Sequence, residues 1–168
     1  DLQMSVIHIN TALGNHMNKF LQLELSEENY GDHRVGVTGE TRDAGYDEGN
    51  RKTIDVLSTT LDNIVDLRKL DAGMVWMDAQ GYEGFILQGA SRVLEAGLTL
   101  VTEFSPYGMD RANCFKNFKM ALLKSRFTTI YDLNRPQHIL KLNEASLNSL
   151  YSLYKDSKKN GSTDLVFI

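Results

Sequence analysis

The rhythm of apolar and polar positions changes near residue 60. Upstream, apolar residues come in short, strand-like groups. Ser5–Asn10 is β-branched around Val6, Ile7 and Ile9, and Ala12-Leu13-Gly14 reads as the turn that follows. Lys19–Leu25 alternates, with Phe20, Leu21, Leu23 and Leu25 among polar neighbours, and Lys52–Ser58 carries Ile54, Val56 and Leu57. Between these groups, 36–50 is rich in Gly, Asp and Glu and almost free of large aliphatic residues, which predicts an exposed, mobile loop.

Downstream, helical and extended patterns alternate. Thr60 is placed to cap a short helix carrying Leu61, Ile64, Val65 and Leu67. Met74-Val75-Trp76-Met77 is a continuous apolar run, the pattern of a strand covered on both faces. Tyr82, Phe85, Ile86, Gly89, Ala90, Val93 and Leu94 then recur at three and four residues. They predict one helix over 81–96, stopped by Gly97. Leu98–Phe104 is the next strand, ended by Ser105-Pro106. Asp110 is placed to cap a helix bearing Phe115, Phe118, Leu122 and Leu123. A strand pair, 128–133 and 138–142, follows, then a helix capped by Asn143, and Asp164–Ile168 closes as a strand. Strand–helix alternation of this kind predicts an α/β fold with a largely parallel sheet. In such sheets ligands sit beyond the carboxyl ends of the strands, which directs attention to the residues after Met77 and Thr102.

Composition narrows the functional classes. The 168 residues suit one domain, and 42% hydrophobic with 24% charged residues is globular rather than disordered. A formal net charge of −4 disfavours a nucleic-acid partner. No apolar run approaches the roughly 20 residues of a membrane span, and no charged-then-apolar leader opens the chain. Cys114 is the only cysteine, so no intramolecular disulfide can form, and a cytoplasmic location is expected. Cys114 itself reads as a half-buried structural thiol. The four histidines show no metal-ligand spacing, and no metal is expected. Lys155, Lys158 and Lys159 fit compensation of a helix dipole.

Several short motifs lie in a recognisable order. Met74-Val75-Trp76-Met77-Asp78-Ala79-Gln80-Gly81-Tyr82-Glu83 precedes Ile86-Leu87-Gln88-Gly89-Ala90. Flanking them are Ala12-Leu13-Gly14, Gly31-Asp32-His33-Arg34, Thr60-Leu61-Asp62, Glu103-Phe104-Ser105-Pro106, Ile130-Tyr131-Asp132-Leu133 and Thr163-Asp164-Leu165. Taken together, this colinear set resembles the FkbM family of S-adenosylmethionine-dependent methyltransferases. Trp76 stands where that family commonly has Lys, and Gln80 where it commonly has Glu. The resemblance implies a Rossmann-like fold, a mostly parallel sheet with helices on both faces and a family strand order of 3-2-1-4-5-7-6. The whole chain, 1–168, then reads as a single partial methyltransferase domain: a strand-rich region over 1–58 and an alternating α/β region over 59–168. The chain opens at Asp1, and nothing before Ser5 supplies the family's first two strands or their nucleotide-binding turn. The expectation is therefore weak or absent binding of S-adenosylmethionine by this chain alone. The 74–77 strand is expected to present an unpaired edge for self-association or a partner segment.

The implied activity is methyl transfer to a hydroxyl of a sugar or secondary metabolite. Asp78, Glu103 and His33 are the catalytic candidates. Asn10 and Asp78 are the cofactor-binding candidates, and Arg34 and Glu83 the substrate-binding ones. Each has a plainer reading. Asp78 suits a helix N-cap, and Glu83 a first-turn carboxylate favoured by the helix dipole. His33 and Arg34 suit a polar hairpin tip, and His8 a satisfied strand histidine. Glu103, on a strand of buried character, either faces the cleft or pairs with a cation such as Arg34. Two other functions stay open: a non-catalytic, truncated relative acting as an interaction module, and a binder of another nucleotide.

Overall fold

The structure is a computed structural model that describes residues 6–27, 29–36, 51–69, 72–155 and 161–168. Ser5, most of the loop expected over 36–50, and Lys158 and Lys159 lie outside the described residues. The elements form two sheets. The first runs in the order β1-β4-β2-β3 and is built from β1 (Ala12–Leu13), β2 (Phe20–Leu25), β3 (Arg34–Val35) and β4 (Lys52–Thr59). The second runs β5-β6-β9-β7-β8, from β5 (Met74–Met77), β6 (Thr99–Phe104), β7 (Thr129–Asp132), β8 (Ile139–Lys141) and β9 (Thr163–Phe167). Among the described residues six α-helices accompany them: α1 (Leu61–Ile64), α2 (Glu83–Gln88), α3 (Ser91–Glu95), α4 (Pro106–Arg111), α5 (Phe115–Lys124) and α6 (Glu144–Lys155).

Both sheets are mixed, which corrects the expectation of a mostly parallel one. β5 and β6 are parallel and adjacent, as expected, with Met77 opposite Thr102. β9 enters between β6 and β7 and runs antiparallel to both. In the first sheet only the β1–β4 pair is parallel. Apolar spacing reports which face of a strand is buried. It does not report the direction of the partner, and the sequence reading erred there. The spatial order β5-β6-β9-β7 is nevertheless the 4-5-7-6 half of the order implied by the resemblance.

The core lies around the second sheet. Phe104, Ile130, Leu165 and Phe167 are fully buried against Leu87, Val93, Phe118, Leu122 and Leu147 from the helices. Aromatic rings join these layers, with Phe104 5.6 Å from Phe118 and Phe118 6.3 Å from Phe167. Caps agree with the sequence at several ends. Thr60 accepts from the Asn63 N–H, and Asn143 from the Ser146 N–H. Asp62 does more than the motif suggested. Its carboxylate accepts from the backbone N–H groups of Arg92 and Val93, at 3.0 Å each, and so caps α3 from thirty residues away.

Other elements differ from expectation. Residues 6–10 form no strand. Val6, Ile7 and Ile9 are exposed and have no strand partner among the described residues, whereas Ala12-Leu13, read as a turn, pairs with β4. The helix expected over 81–96 is two, α2 and α3, broken at Gly89-Ala90 where the chain passes the Gly14 carbonyl. The helix expected from Asp110 is also two. Ser105 caps α4 by accepting from the Gly108 N–H. Asp110 lies inside α4, where it binds Tyr151 and Lys155. Among the described residues β5 is an edge strand. Met77 is buried, but Met74 and Trp76 are 57% and 66% exposed, so it is not covered on both faces.

Candidate active site at the strand ends

Asp78 and Glu103 meet because β5 and β6 are parallel and in register. Met77 lies opposite Thr102, so the next residue on each strand reaches the same carboxyl-end rim. After Asp78 the chain reverses sharply. Gln80 and Gly81 both adopt positive φ, 51° and 92°. A side chain on Gly81 would also collide with the Gly108 backbone, 2.3 Å from a Cβ placed there. The turn after β5 is thus pressed directly on the helix that follows β6, and the two strand ends are locked to each other.

Glu83 closes this turn from below. It is fully buried, and its Oε1 accepts from the Ala79 N–H at 2.8 Å and the Gly81 N–H at 3.2 Å. Burial pushes its carboxyl above the usual range; the two N–H groups pull it back, and the Asp78 charge adds to the rise. Glu103 is half-buried and its pKa is pushed up to about 8, chiefly by burial and then by the charges of Glu83, Asp78 and Asp164. Asp78, Glu83 and Glu103 each offer an oxygen within 4.8 Å of the others. Glu83 Oε2 and Glu103 Oε2 are buried without a hydrogen-bond partner. Gln80 donates to Asp78 Oδ1 at 2.8 Å, and the buried Cys114 thiol donates to the Gly81 carbonyl.

Beside the acids opens a cavity of about 310 Å³, lined by Asn29, Arg34, Gln80, Glu103, Ser105 and Arg111 among others. Arg34 and Glu103 therefore share one concavity, though Arg34 pairs with Glu24 at 3.2 Å. Arg111 donates to the carbonyls of Val35 and Gln80, and so ties the first sheet to the turn after β5.

The other candidates fare differently. Asp78 is not a helix cap; Tyr82 holds that position for α2. His33 lies beside Arg34, but its Nδ1 accepts from the Ser26 N–H and its ring meets Tyr30 edge-on, and it is not among the residues lining the cavity. Asn10 and His8 are exposed in the segment that forms no strand. Cys114 is fully buried rather than half-buried, and its thiol is pushed up to about 12. Arg111, Gln80 and Ser105 were missed as site residues. Only the Ser105-Pro106 signal, which marks a helix start at the strand end, pointed toward one of them.

Parallel strands ending in acids beside a cavity, with a reversed strand inserted next to them, define a mixed α/β domain with a candidate site at its strand ends. The family model for the methyltransferase FkbM domain matches residues 3–142, and the chain belongs to that family. No curated protein and no solved structure matches it.

Proposed function

We propose that this domain carries out S-adenosylmethionine-dependent methyl transfer to a hydroxyl group of a sugar or secondary metabolite. The observation that carries the reading is the convergence of Asp78 and Glu103 at the ends of two registered parallel strands, beside the 310 Å³ cavity. Family membership supports methyl transfer as the chemistry. The sulfonium donor is already activated, so the protein's task is to align acceptor oxygen, methyl carbon and sulfur, and to take the acceptor's proton. Glu103 lines the cavity, which puts its carboxylate within reach of an acceptor hydroxyl as a general base. Asp78 is exposed at the rim, fixed by Gln80, and positions the acceptor hydroxyl. Asn29, Gln80 and Ser105 give the cavity neutral polar groups, beside the paired Arg34, for an acceptor bearing oxygen-rich groups. A small-molecule acceptor is the partner this implies.

The cofactor's own site is the weaker half. Among the described residues no α-helix precedes Leu61, and none of them forms a strand–turn–helix unit of the nucleotide-binding kind upstream of β4. Binding of S-adenosylmethionine by 1–168 is therefore expected to be weaker than micromolar. The test pairs calorimetry with transfer of a labelled methyl group to a panel of sugars and hydroxylated metabolites. Glu103→Gln should lower transfer about 10²–10⁴-fold, the usual worth of a general base. Transfer unaffected by both Glu103→Gln and Asp78→Asn would refute the assignment.

A second reading, an interaction module, is favoured by β5. Its outer edge is unpaired among the described residues, with Met74 and Trp76 exposed. Such an edge is a template for another strand. Sedimentation of wild type against Trp76→Lys tests it: a monomer in both cases removes this reading.

A further inference from the structure

We propose that Asp78, Glu83 and Glu103 form a binding site for one hard divalent cation, of the Mg²⁺, Mn²⁺ or Ca²⁺ class. Three observations converge on it. The three carboxylates place oxygens within 4.8 Å of one another. Oxygens sharing one Ca²⁺ at about 2.3–2.6 Å can be at most roughly 4.6–5.2 Å apart, and those on Mg²⁺ at about 2.0–2.1 Å somewhat less. Oxygens within that bound can close on one cation of Ca²⁺ size, and with a small side-chain adjustment on Mg²⁺ or Mn²⁺.

The second observation concerns which oxygens are left over. Glu83 is fully buried, and its Oε1 is occupied by the Ala79 and Gly81 N–H groups. Its Oε2 has no partner, and neither has Glu103 Oε2. A buried carboxylate oxygen left bare is costly, and two of them beside a third carboxylate need positive charge between them. The charges that act most on Glu103 are all carboxylates: Glu83, Asp78 and Asp164.

The third observation is rigidity. The Gly81–Gly108 contact and the β5–β6 register hold Asp78, Glu83 and Glu103 on one frame. Asp78 lies at the exposed rim, which supplies an entry path and leaves coordination positions open to water or an acceptor oxygen. Oxygen-only ligands select hard cations over zinc or copper. Cation binding does not depend on whether methyl transfer takes place here. A chain that binds metal yet transfers no methyl group leaves this site standing, and the converse removes it alone.

The test is calorimetric titration of the EDTA-stripped chain 1–168 with MnCl₂, then with MgCl₂ and CaCl₂. Loss of the free Mn²⁺ electron paramagnetic resonance signal gives a second readout. One ion per chain is expected. Affinity should fall at least about tenfold in Glu83→Gln and in Glu103→Gln, a loss that even outer-shell partners typically cause. It should be unchanged in Glu95→Gln, an exposed acid on α3. Glu83→Gln keeps an acceptor oxygen for the Ala79 and Gly81 N–H groups, and circular dichroism checks its fold. If that variant unfolds, Asp78→Asn and Glu103→Gln carry the comparison. No saturable binding by the folded wild-type chain at millimolar metal overturns the site. So does binding that Asp78→Asn and Glu103→Gln leave unchanged.

Discussion

Replacing Gly81 with alanine tests the packing that sets the site's geometry, and the chain supplies its own control. Gly81 and Gly97 both sit at positive φ, 92° and 76°. A Cβ on Gly81 would lie 2.3 Å from the Gly108 carbonyl carbon and 2.5 Å from its Cα, whereas a Cβ on Gly97 meets nothing within 4 Å. The left-handed conformation costs an L-residue about 1–2 kcal/mol. Forcing a methyl group into a packed contact adds about 1–3 kcal/mol, since backbone cannot rotate aside. Gly97→Ala should therefore lose about 1–2 kcal/mol and Gly81→Ala about 2–5 kcal/mol. Urea unfolding followed by circular dichroism reads the difference. With a slope of about 2 kcal/mol/M, an excess of about 2 kcal/mol moves the midpoint by roughly 1 M. Gly81→Ala should also weaken whatever binds the carboxylates, because the turn must lift from α4 to admit the methyl group. Equal midpoints for the two variants would refute the close contact, and with it the claim that the two strand ends are locked together.

Other expectations follow from buried polar groups. Asp132 is buried and accepts from Tyr154 at 2.7 and 2.8 Å and from Thr163 at 2.7 Å. Tyr154→Phe should cost about 1.5–3 kcal/mol in urea, the usual worth of hydrogen bonds to a charged group. Asp62→Ala removes the cap of α3 and should cost about 1–2 kcal/mol, whereas Asp62→Asn should recover much of it. Burial pushes the Cys114 thiol up to about 12. Because thiolate is the reactive form, iodoacetamide at pH 8–9 should spare the folded chain and label it only in denaturant, with a rate that rises as pH passes the ordinary thiol value of about 8.5. Labelling of the folded chain at the unfolded rate would show that Cys114 is not sealed under Gly81.

What the sequence disclosed, and what it withheld, divides along a physical line. The β5–turn–β6 unit was legible because local signals agree: an apolar run, a Gly turn, helical spacing and a Ser-Pro start. Thr60 and Asn143 were legible as caps because capping is a contact over three residues. The break at Gly89 was not, because it depends on the Gly14 carbonyl seventy-five positions away. Nor was the exposure of Met74 and Trp76, since coverage of a strand is a property of its neighbours. That Asp78 and Glu103 come together was legible from their places at the ends of adjacent strands. Glu83 was misjudged because a first-turn carboxylate ordinarily points outward, and nothing local shows that this one folds under the turn to grip Ala79 and Gly81. His33 was overvalued because its adjacency to Arg34 says nothing about the Ser26 N–H that occupies its ring nitrogen.

Trp76 is the sole tryptophan, and it stands 66% exposed on β5, two residues before Asp78. The indole is therefore an optical reporter placed by nature at one address. Its emission belongs to the edge of β5 alone, without contribution from the core, and it stays long-wavelength while water wets the ring. Any strand laid along that edge would shift the light toward the blue and shield it from soluble quenchers. Events confined to the far end of the sheet, at β7 and β8, would leave it dark to change.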